Sequence, residues 1–132
     1  MSLRLSQFRG TVVTLLTFYW AALFVGTHVP ASMSRVHAND KLLHLGAYAG
    51  LAFLMVWVIA GTRPRVRTVA ASIAVVVTYG AVDELSQLLI PGRHGDPWDW
   101  FANVVGTGFG LLVYFLAWTA VQQFRSVSGR PA

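Results

Sequence analysis

The chain has 132 residues, 55% hydrophobic and 11% charged, with ten Lys and Arg against five Asp and Glu for a net charge of +5. Relative to its charge it is about twice as apolar as an ordinary soluble domain, which all but excludes a water-soluble fold and leaves no length for a catalytic domain beside a membrane anchor. The absence of cysteine removes disulfide frameworks, thiolate metal sites and cysteine nucleophiles, so any chemistry falls to Asp, Glu, His, Lys, Arg, Ser or Tyr.

Four apolar stretches, at roughly residues 11–27, 42–60, 69–90 and 99–121, are each long enough to cross about 30 Å of hydrocarbon as a helix. They predict an all-α fold: one domain over 1–132, a bundle of four transmembrane helices. The first stretch follows Arg4 and Arg9 and precedes Ala31 and Ser32, the layout of a signal peptide. It ends in Thr27-His28-Val29-Pro30 without an A-x-A cleavage site, and is read as a span. A polar loop (27–40), a basic hairpin (61–67) and a Gly/Pro loop (91–97) connect the spans. His28 and His37 have no neighbour at metal-ligand spacing and are read as solvated. Gly46-x-x-x-Gly50 and Gly106-x-x-x-Gly110 read as places where helices approach closely.

Lys and Arg are retained in cytoplasmic loops, and their distribution orients the chain. The termini and second loop carry Arg4, Arg9, Arg63, Arg65, Arg67, Arg125 and Arg130 and no acid. The other side carries Arg35, Lys41 and Arg93 with all five carboxylates, Asp40, Asp83, Glu84, Asp96 and Asp99. Both termini are therefore expected in the cytoplasm of a multi-pass membrane protein. Its basic patches are topology signals and lipid-headgroup contacts, not a nucleic-acid surface.

The carboxylates come from three parts of the chain yet gather at the non-cytoplasmic face. Asp40 and Lys41 open the second span, with His44 one turn in and Tyr48 one turn further on the same face. Tyr79, Asp83 and Gln87 form a stripe late in the third, with Glu84 about 100° round from Asp83. The fourth begins Asp96-Pro97-Trp98-Asp99 and continues to Asn103. An ionisable group at a helix centre costs roughly 2.5–3.5 kcal/mol to insert, so Asp83 and Glu84 should face the bundle interior, with Lys41, His44 and Arg93 as available partners. Plainer roles exist for several of these. Asp96 before Pro97 reads as an N-cap, Asp99 then favours the helix dipole, Asp40 reads equally as a cap, and Asn103 as an interhelical hydrogen bond. Ser86 lacks a G-x-S-x-G elbow, which argues against a serine hydrolase. Asp40, His44, Asp83, Glu84, His94 and Asp99 include suitable metal ligands, but without an H-E-x-x-H or comparable motif no metal is assigned, and no cofactor.

Asp40-Lys41-x-x-His44-x-x-x-Tyr48, then Glu84-x-x-Gln87-x-x-x-Pro91-Gly92-Arg93, then Asp99-x-x-x-Asn103-x-x-Gly106 resemble, in this order, the motifs of the VanZ-like family of bacterial membrane proteins. The matching core covers about residues 40–110. The resemblance implies a small inner-membrane protein; the family's namesake contributes to resistance against teicoplanin, a lipoglycopeptide. It also implies a site of Asp40, Lys41, His44, Tyr48, Glu84, Gln87, Arg93, Asp99 and Asn103. In the leading reading the protein binds or modifies a lipid-linked or cell-envelope component, in contact with the membrane lipid bilayer. Glu84 and His44 would exchange a proton, and the remaining site residues would hold the substrate, Lys41 and Arg93 contacting its phosphate or carboxylate. A second reading is a non-catalytic scaffold whose polar residues hold three helices together. A small transporter is the weakest, because Leu, Val, Phe and Ala seal the inner half of every span. The sequence leaves the oligomeric state open.

Overall fold

The computed structural model describes residues 2–30, 40–61 and 63–129, with side chains from Gln7 onward. The Arg4 side chain, Ala31, Ser32, Arg35, His37 and Arg130 lie outside the described residues. The fold is all-α: α1 (Ser2–Thr27), α2 (Asp40–Ile59), α3 (Val66–Gln87) and α4 (Pro97–Val127). Each contains a segment long and apolar enough to cross a membrane, with mean hydropathy between 1.4 and 2.0.

The helix ends differ from the hydropathy boundaries for local reasons. At its start α1 runs on through Gln7 and Arg9, which are polar but good helix formers. Conversely, α3 stops at Gln87 although Leu88, Leu89 and Ile90 continue the apolar run. Their amides bond three residues back, at 3.0 to 3.3 Å, in a tightening turn. Pro91 disfavours helical geometry at Ile90, and Gly92 then takes a φ of 76°. In α4 the Asp96 carboxylate caps the start by accepting from the Trp98 amide at 2.8 Å, with Pro97 in the first turn.

The centre of the bundle is the contact between α2 and α4, which run parallel. Gly106 and Gly110 lie directly against the Leu45 and Ala49 carbonyls, one helical turn apart on each helix. A side chain at either glycine would meet main chain, so these residues set the closeness of the two helices. The α2 glycines behave differently. Gly50 receives the Tyr19 ring of α1, whose hydroxyl donates to the Ala47 carbonyl at 2.9 Å, whereas Gly46 has open space around it. Leu16 and Leu23 of α1 join Tyr48, Leu51, Ala52 and Met55 of α2 and Val76 of α3 in the apolar core. At the far end of α2 the Tyr114 hydroxyl donates to the Gly61 carbonyl at 2.7 Å.

With α1 and α3 antiparallel to this pair, the C-terminal ends of α1 and α3 and the N-terminal ends of α2 and α4 meet at one end of the bundle. The buried polar side chains His44, Asp83, Glu84, Gln87, Asp99 and Asn103 concentrate there. Arg63, Arg65 and Arg67 are exposed at the opposite end.

Candidate functional site

Lys41 joins the starts of α2 and α4. Its ammonium donates to Asp96 Oδ2 at 2.9 Å and to Asp99 Oδ1 at 3.0 Å. Asp96 therefore does more than cap α4. The Lys41 ammonium first, and the Trp98 amide second, hold its carboxyl below the usual carboxylate range. This pair is open to solvent, with half of the Lys41 side chain exposed.

One turn deeper His44 is buried, facing acceptors on both sides. Its Nδ1 lies 3.0 Å from Asn103 Oδ1 and 3.5 Å from Glu84 Oε1. Its Nε2 lies 3.9 Å from both Asp40 Oδ1 and Asp99 Oδ2. With two acceptors beside Nδ1, the neutral ring carries its proton there and turns the Nε2 lone pair toward the aspartates, a tautomer assigned from these neighbours. Glu84 is only 7% exposed, yet among the described residues its carboxylate oxygens make no hydrogen bond of good geometry and have only the approach of the Asp96 main-chain amide beside the His44 ring. Asn103 Nδ2 is also unpartnered among them. Glu84 and Asn103 thus both retain unused hydrogen-bonding capacity beside one imidazole.

Asp83, next in sequence to Glu84, has the opposite environment. It is 1% exposed and accepts from Thr27 Oγ1 of α1 at 2.9 Å, Tyr48 of α2 at 3.4 Å, Tyr79 at 3.5 Å and Gln87 Nε2 at 3.4 Å. The approximately 100° between successive helical residues separates the two acids into different networks: Asp83 looks toward α1 and α2, Glu84 toward His44. Tyr48 and Gln87 consequently serve Asp83.

Arg93 is not paired with Glu84 or Asp83. Its Nε donates to the Val29 carbonyl at 3.1 Å and its Nη2 approaches the Gly26 carbonyl at 3.4 Å, where a cation suits the carbonyl-rich end of α1. Nor is His28 solvated. It stacks on Phe24 with centroids 4.0 Å apart, its Nε2 lies 2.9 Å from Ser86 Oγ, and its Nδ1 lies 3.8 Å from Asp83. Thr27 and His28 were legible only as a polar pair at the end of the first apolar run, since their partners lie 56 and 58 residues away. His94 is exposed. The arrangement brings Asp40, Lys41, His44, Glu84, Asp99 and Asn103 together, assigns Tyr48 and Gln87 to the adjoining Asp83 network, and sets Arg93 against the end of α1. Asp40, His44 and Asp99 each offer one potential metal-ligand atom, all within 4.8 Å of one another.

These features define a small multi-pass helical membrane protein with a carboxylate and imidazole cluster at one end of its bundle. Residues 1–118 match the sequence profile of the VanZ/LLP1 family, and the chain belongs to that family. No curated protein and no solved structure matches it.

Proposed function

We propose that this is a bacterial inner-membrane protein, with both termini cytoplasmic, that binds a lipid-linked or other cell-envelope component at the outer face of the membrane. The observation that carries the reading is Glu84, a buried carboxylate whose neighbours among the described residues are the His44 ring at 3.5 Å and the Asp96 main-chain amide, with no well-formed side-chain hydrogen bond to either oxygen. A closed structural network would satisfy such a group with close hydrogen bonds, because a weakly bonded buried carboxylate is expensive. A group left in this state beside an imidazole suits proton exchange with a ligand, and the half-exposed Lys41 suits contact with a phosphate or carboxylate at the entrance. Arg93 and the Asp83 residues frame this site from the α1 side.

The scaffold reading also has a specific observation behind it, the Asp83 network, which joins α1, α2 and α3 through groups that are all partnered. We assign that half of the polar end to holding the helices and the Glu84 half to the ligand. Comparing membrane lipids and cell-wall precursors in cells with and without the protein tests this assignment. One lipid-linked or envelope species is expected to change; identical profiles, with unchanged teicoplanin susceptibility, would overturn the reading.

The outward orientation rests on the Lys and Arg distribution. A topology reporter fused after Ala132 is expected to report cytoplasm, and one inserted in loop 91–97 the outside. A cytoplasmic signal from the loop would place the cluster on the wrong side for an envelope ligand.

A further inference from the structure

We propose that Asp40, His44 and Asp99 form a binding site for one divalent first-row metal ion, with Glu84 and Asn103 orienting the imidazole from behind. The inference goes beyond the envelope-ligand reading and does not depend on it. Asp40 and His44 stand four residues apart on one face of α2, and Asp99 comes from the first turn of α4. Their donor atoms are already neighbours: His44 Nε2 is 3.9 Å from Asp40 Oδ1 and from Asp99 Oδ2, and one donor atom of each residue lies within 4.8 Å of the other two. Donors about 2.1 Å from a tetrahedral ion lie about 3.4 Å apart. The two aspartate oxygens must therefore each close on His44 by about 0.5 Å and on one another by up to about 1.4 Å, a movement that rotation of the exposed Asp40 side chain supplies.

The surroundings point the same way independently. A metal-bound histidine almost always gives its other ring N–H to a carbonyl or carboxylate, which fixes the tautomer and raises ligand basicity. Here Nδ1 meets the Asn103 carbonyl oxygen at 3.0 Å and the Glu84 carboxylate, which has no other side-chain partner among the described residues, at 3.5 Å. Glu84 is more than nine-tenths buried, and its negative charge would be balanced through an imidazole bound to a dication. Asp99 is prepared likewise: Lys41 holds Oδ1, leaving Oδ2 on the His44 side. At this end of the bundle, five carboxylates face two cations, Lys41 and Arg93, among the described residues. Two carboxylates and an imidazole suit Zn²⁺ or Mn²⁺ better than Ca²⁺ or Mg²⁺, which prefer all-oxygen sets. The Asp40 side chain is 60% exposed, so the open coordination positions would face the solvent side.

The test is calorimetric titration of the full chain, purified in detergent and stripped with chelator, with Zn²⁺ and separately with Mn²⁺. One equivalent is expected to bind. Asp40→Asn and His44→Gln are expected to weaken binding by more than about 100-fold, and Glu84→Gln and Asn103→Leu by about 10- to 100-fold. Asp40 is exposed, so its variant removes a ligand without disturbing the packed interior and keeps the test decisive if the His44 variant fails to fold. Failure of the monodisperse wild type to take up either ion at millimolar concentration would overturn the site, as would an unchanged affinity in Asp40→Asn. Stoichiometric binding alongside an unchanged envelope profile would support the metal site and overturn the envelope-ligand reading.

Discussion

Gly106→Leu is expected to reduce the detergent-extracted, monodisperse yield by at least about tenfold, whereas Gly108→Leu, two residues along the same helix, should leave it near wild type. A side chain at Gly106 meets the Leu45 carbonyl and Cα, and these atoms belong to the main chain of α2. Overpacking against side chains costs about 1–3 kcal/mol because rotamers can give way. Main chain cannot, so relief requires α2 and α4 to separate, and the effect should lie at or beyond the top of that range. Gly108 has nothing near it, and a leucine there gains helix propensity and lipid contact. Gly106→Ala should be intermediate. The comparison also bears on the polar site, because separating α2 from α4 draws His44 away from Asn103 and Lys41 away from Asp99. Equal yields for the two leucine variants would show that the parallel α2 and α4 contact does not hold the bundle together.

How much of this was legible in the sequence depends on whether the deciding interaction is local. The spans were, since insertion depends on composition over about 20 residues. The gathering of polar residues at one end followed from the same alternation of direction. The end of α3 was not, because Leu88 to Ile90 are as apolar as the helix before them and Pro91 with Gly92 turns the backbone for reasons unrelated to hydropathy. Of the two glycine pairs only Gly106 and Gly110 make the helix seam. Gly46 and Gly50 have the same spacing, but which face of α2 meets which neighbour is a property of the assembled bundle. Partner choice among the charged groups was equally hidden. Lys41 lies 55 and 58 residues from the two aspartates it holds, and Arg93 takes the carbonyl end of α1, a main-chain feature without side-chain signature. The adjacent acids are the clearest case. Asp83 and Glu84 are one residue apart, yet the helical turn gives the first four hydrogen-bond donors and the second an imidazole neighbour.

That asymmetry makes Glu84→Gln the variant with the largest expected functional effect. The amide keeps the volume of the carboxylate and most of its hydrogen-bonding capacity while removing ionisation, so the protein should accumulate at wild-type level in monodisperse form. A neutral amide is also easier to place in a membrane helix than a charge. The change in envelope lipids or precursors caused by the wild type should nevertheless be lost. Proton-transfer groups of this kind are worth about 10²- to 10⁴-fold, enough to remove a steady-state difference. If Glu84 only held helices together, the substitution would be tolerated or would lower yield and effect in proportion. Asn103→Leu supplies the contrast. It removes the 3.0 Å contact to His44 without touching a carboxylate, and interhelical hydrogen bonds in membranes average about 0.6 kcal/mol. Its yield should fall modestly, and its envelope effect should fall with the amount of folded protein and through the loosened imidazole. Yield and envelope profile measured for both variants separate these cases. A wild-type profile from Glu84→Gln at wild-type yield would remove the carboxylate from the mechanism and leave Lys41 and His44 to account for ligand binding.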